Sequence, residues 1–155
     1  MKMRLVWKII IQLCRFGLAA MFLFAVGAKW YMRGNPKESF FTNMPFLVGA
    51  RWAMPVAFAI IAAELLAALL LIIPRTARLG GVWAATLLLG FAVYALYYRF
   101  GLGNVEGLEC GCFGNVIGSQ LGLTTAFRNL ALLIPAFIVL ICYRRRKQVA
   151  LGVSC

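Results

Sequence analysis

Residues 53–73 read AMPVAFAIIAAELLAALLLII, 21 residues interrupted by a single charge, Glu64. As a helix rising 1.5 Å per residue, this run is about 32 Å long, enough to cross a bilayer's hydrocarbon layer of ~30 Å. Trp52 precedes it and Pro74 follows it. Three runs of the same kind lie around it, at about 9–31, 79–98 and 121–143. The sequence therefore predicts an all-α polytopic membrane protein. Its architecture is a four-helix transmembrane bundle, one membrane domain over 1–155, with no internal repeat.

Composition narrows the function classes. Hydrophobic residues make up 64% of the chain, well above a soluble domain of this size. Sixteen basic residues face four acidic ones. A nucleic-acid binder would gather such charges on a water-exposed face, whereas here they flank apolar runs and read as topology determinants. Histidine is absent, which removes the commonest metal ligand and the usual general base.

Lys2, Arg4, Lys8, Arg15, Arg75, Arg78, Arg144, Arg145, Arg146 and Lys147 fall on one side of the four spans. Lys29, Arg33, Lys37, Arg51 and Arg99 fall on the other. This imbalance predicts both termini in the cytoplasm and the 100–120 connection outside. In a Gram-negative cell that means a multi-pass protein of the bacterial inner membrane with a periplasm-facing loop. A competing reading takes Val26-Gly27-Ala28 as a signal-peptide cleavage site, which would leave three spans. Arg15 and the length of the first span favour a retained helix.

The connection between spans one and two is apolar and aromatic (Phe40, Phe41, Phe46) and suits the membrane interface. Trp30, Tyr31, Trp52, Tyr94, Tyr97 and Tyr98 would form an aromatic belt at the same level. Spans two and three are joined by the tight turn 74–78, so they must be antiparallel neighbours.

The 100–120 connection holds Gly107-Leu108-Glu109-Cys110-Gly111-Cys112-Phe113-Gly114-Asn115. Cys110 and Cys112 are the candidate catalytic pair. Gly111 lets the backbone shorten the distance between them, Gly114 adds a further turn point, and Phe113 is apolar enough to pin the loop to the bundle. Closing so short a ring gains little chain entropy, and strained exposed disulfides are the readily reduced ones, so exchange chemistry is favoured over a structural staple. Two thiols without histidine leave a tetrahedral zinc site half empty, and no metal is expected. Cys14, Cys142 and Cys155 fall at or beyond the cytoplasmic ends, the first two as small core residues.

A second candidate cluster lies inside the membrane. Glu64 is eleven residues before Arg75, about 16 Å from the cytoplasmic end. Lys29 and Arg128 lie at about 21 and 24 Å from the same side, and Asn129 adjoins Arg128. A carboxylate at that depth calls for a cationic partner within the bundle. Two roles remain open for the cluster: polar glue between helices one, two and four, or a proton- or quinone-handling site beneath the thiol loop.

With these residues placed, the chain resembles the methylamine-utilisation MauE family, within the DoxX-like group of four-helix membrane proteins. The resemblance rests on Phe24-Ala25-Val26-Gly27-Ala28-Lys29, on Glu64 in an Ala/Leu-rich helix, and on Pro74-Arg75-Thr76-Ala77-Arg78. It also rests on Arg128-Asn129-Leu130-Ala131-Leu132-Leu133 and, most specifically, on Cys110-Gly111-Cys112-Phe113-Gly114. It implies a role in maturing methylamine dehydrogenase, whose small subunit is rich in disulfides, beside a periplasmic thioredoxin-like partner. Three functional readings follow: a thiol–disulfide redox protein, with a membrane quinone as candidate electron partner; a non-enzymatic assembly or anchoring subunit; and a small transporter. The last lacks the inverted repeats and broken helices that transporters show.

Overall fold

The computed structural model describes residues 2–31, 41, 44–45, 48–101 and 123–150. Among these, four helices account for nearly everything: α1 (Lys2–Tyr31), α2 (Ala50–Ile72), α3 (Ala77–Gly101) and α4 (Leu123–Ala150). Each is long and apolar enough to cross a membrane, and no strand occurs among the described residues. The spanning portions are Val6–Tyr31, Ala50–Ile72, Ala77–Tyr97 and Thr125–Cys142, within a few residues of those expected. Each helix packs mainly on two neighbours, α1 on α2 and α4, and α3 on α2 and α4, so the four close into a ring.

The interior is built from small side chains. Ala57, Ala67, Ala68, Ala84, Ala95 and Ala136 are completely buried, while Leu13, Phe16, Leu89, Val93, Ile134 and Phe137 face outward. Lipid tails are as apolar as leucine, so burying large aliphatic groups brings no gain inside a membrane. Close backbone approach does, and alanine permits it. Phe22, Leu71, Leu88 and Val139 fill what the alanines leave. At the end where α1 finishes and α2 begins, Trp30, Tyr31, Trp52 and Tyr97 are exposed, the arrangement expected of an interfacial belt.

Among the described glycines, Gly80 marks the closest approach of two helices. A Cβ there would sit 2.8 Å from the backbone of Leu70 and Leu71, which has no rotamer to yield. Gly80→Ala should therefore push α3 off α2 and lower stability by roughly 1–3 kcal/mol in detergent unfolding. Gly90→Ala, where a Cβ meets nothing within 4 Å, should be neutral or slightly stabilising in the same assay. Equal melting of the two variants would refute the close-approach account.

The end of α2 is closed carbonyl by carbonyl. Helix C-termini leave their last carbonyls without intrahelical partners, and inside a bilayer these must be satisfied locally. Leu69 O accepts from Ile73 N (3.2 Å), and Leu70 O from the Thr76 hydroxyl (3.0 Å). Ile73 O accepts from Thr76 N (3.2 Å) within the turn at 73–76. The two that remain, Leu71 O and Ile72 O, each receive a guanidinium nitrogen of Arg15 at 2.5 Å. Arg15 is only 3% exposed and also donates to Gln12 at 3.1 Å. Sequence reading counted it as a flanking charge; instead it is a buried fork that caps the neighbouring helix. At the other end of α2, Gly49 holds the capping position with φ 83°, a left-handed conformation that side chains disfavour.

Candidate functional site

Lys29 closes the last turn of α1, and Glu64 lies eight residues from the end of α2. The two helices run antiparallel against each other, and the Lys29 stem spans the height difference between them. Its Nζ donates to both carboxylate oxygens, at 2.5 and 2.6 Å. The side chains are 0% and 1% exposed, so this is an ion pair sealed from lipid and solvent alike.

Why the chain carries this pair follows from its surroundings. Either charge alone at this depth would cost several kcal/mol, and the pair lowers that cost for both. The neighbouring residues fix α2 in place: Trp83 of α3 donates its indole N–H to Ala63 O, one residue before Glu64, at 3.0 Å. Met21, Phe22 and Ala25 of α1, Leu88 and Phe91 of α3 and Asn129 of α4 line one small cavity with Glu64. All four helices thus meet at the level of the carboxylate. Asn129 and Thr125 are buried on α4, and Arg128 is half-buried beside them.

Of the intramembrane residues expected to cluster, Lys29 and Glu64 are in direct contact, and Asn129 shares a cavity with Glu64. Arg128 occupies the adjacent position on α4. Cys110, Gly111, Cys112, Phe113 and Gly114 lie outside the described residues, as does Cys155. Cys14 and Cys142 are free thiols, half-buried, and Cys14 packs against the main core. Sequence reasoning missed Arg15, whose signal is a cation set among apolar residues, and Trp83, which gave none.

A ring of four membrane-length helices around a buried lysine–glutamate pair defines a multi-pass membrane protein with a polar centre. The family comparison is more specific. Residues 7–142 match the model of the methylamine utilisation protein MauE, most of the chain, and the chain belongs to that family. No curated protein and no solved structure matches it.

Proposed function

We propose that this protein is an inner-membrane thiol–disulfide redox protein that serves the maturation of periplasmic partners through Cys110 and Cys112. The observation that carries the reading is their place in the chain. Both thiols fall within the matched family region, between the end of α3 and the start of α4. Those helix ends share the face of the bundle that bears the exposed Trp30, Tyr31, Trp52 and Tyr97, whereas Arg15 and the α2–α3 turn mark the other face.

The exchange is a two-electron step. A thiolate of the reduced pair attacks a partner disulfide to form a mixed disulfide, releasing one partner thiol. The second cysteine then displaces the other partner sulfur, leaving Cys110 and Cys112 bonded to each other and the partner with two thiols. The reverse sequence oxidises the partner instead. A thioredoxin-like protein or a disulfide-rich enzyme is the fitting partner, and a membrane quinone is the candidate for exchanging electrons with the pair. The small cavity beside Glu64 has room for about one water and none for a quinone ring.

Cys110→Ser and Cys112→Ser, expressed separately, test this reading. One of them should accumulate a reductant-sensitive adduct with a periplasmic protein, visible as a shifted band on non-reducing gels. No adduct from either, with partner maturation unchanged, would sink the redox reading. That second result is the one an anchoring subunit predicts, and the buried ion pair is the feature that favours anchoring as the alternative. In that case variants of Lys29 and Glu64 should impair maturation while the cysteine variants do not.

A further inference from the structure

Asn129 is 1% exposed, and its side-chain Nδ2 donates to no protein atom. It lines the same cavity as Glu64, walled otherwise by Met21, Phe22, Ala25, Leu88 and Phe91. The cavity leaves about 10 Å³ open to the centre of a water molecule, close to one water's requirement. A buried amide N–H without an acceptor is destabilising, and native interiors rarely leave one so. Glu64 supplies the complementary need. Its two oxygens accept from Lys29, and a carboxylate has about four acceptor sites in all.

We propose that this cavity is a binding site for a single water, which accepts from Asn129 Nδ2 and donates to the Glu64 carboxylate. The chemistry selects the guest. A dry cavity needs walls that are apolar throughout, and this one is lined by residues that carry an amide donor and a carboxylate. A cation is disfavoured because the ammonium of Lys29 already neutralises the carboxylate at 2.5 Å. Any organic ligand is excluded by volume. The bound water extends the α1–α2 ion pair to α4, so that one hydrogen-bonded chain runs from Lys29 through Glu64 and the water to Asn129.

The test uses the full-length protein, labelled with ¹⁵N-asparagine, in micelles. The Asn129 side-chain amide protons should show a nuclear Overhauser cross-peak to water with the sign of a long-lived bound molecule. Ala25→Leu, which fills the cavity, should abolish that cross-peak while the Asn129 amide resonances remain. No cross-peak in the unmodified protein, or one that survives Ala25→Leu, would overturn the assignment. Should Ala25→Leu fail to fold, a crystallographic map of the unmodified protein decides. A single peak within hydrogen-bonding distance of Asn129 Nδ2 and a Glu64 oxygen supports the site, and an empty cavity refutes it.

Discussion

Replacing Glu64 with alanine while Lys29 stays should lower stability by about 3–5 kcal/mol, the typical penalty for stranding one partner of a buried ion pair. Lys29→Ala should do comparable damage, because the carboxylate then loses the donor that reaches both of its oxygens. The two effects arise from one interaction, so they should not add. The double variant Lys29→Met/Glu64→Leu removes both charges and keeps most of the apolar volume, and it should recover most of the loss. Unfolding in mixed micelles with rising dodecyl sulfate measures all three. If each single variant lies within about 1 kcal/mol of the unmodified protein, the pair is not the sealed contact described here. The double variant also separates function from folding. Thiol exchange confined to Cys110 and Cys112 should survive it.

Arg15→Leu should have the second-largest effect, roughly 2–4 kcal/mol, since two carbonyls at the end of α2 lose their donors inside the bundle. Arg15→Lys should recover only part of this. An ammonium is a compact charge, and it cannot reproduce the planar fork that reaches Leu71 O and Ile72 O together. Local opening gives the sharper readout. Amide hydrogen exchange at residues 70–73 should accelerate in Arg15→Leu while residues 60–64 keep their protection. Unchanged exchange at 70–73 would show that the cap contributes nothing to the end of the helix.

Much of the fold was legible because membrane spans are written in a coarse code. Twenty apolar residues suffice to identify each one, and the turn at Pro74 fixed α2 and α3 as neighbours. The Lys29–Glu64 contact was also within reach, because depth along a helix follows from counting residues, and a carboxylate at that depth needs a cation. Arg15 was not legible. Its position near a span end fits a topology charge as well as it fits a cap, and only the packing of α1 against α2 decides between them. The same holds for Trp83. An indole six residues into α3 reads as a lipid-facing aromatic, and its bond to Ala63 O depends on how α3 is rotated. The thiol pair could be recognised by residue type and spacing alone, and its geometry lies outside the described residues.

The dependence of α1 on α2 bears on how the chain enters the membrane. Carried into lipid alone, α1 would bring Lys29 without its carboxylate and Arg15 without the carbonyls it caps, and α2 would bring Glu64 and two open carbonyls. A charge costs about 2.5–3.5 kcal/mol at a helix centre on insertion scales and less toward the ends, so each segment leaves the translocon less readily alone than with its partner. Joined, each carries what the other lacks. Biogenesis of this protein is thus expected to begin with a helical hairpin released laterally as one body, with α3 and α4 assembling onto a pair whose buried charges and open carbonyls already have partners.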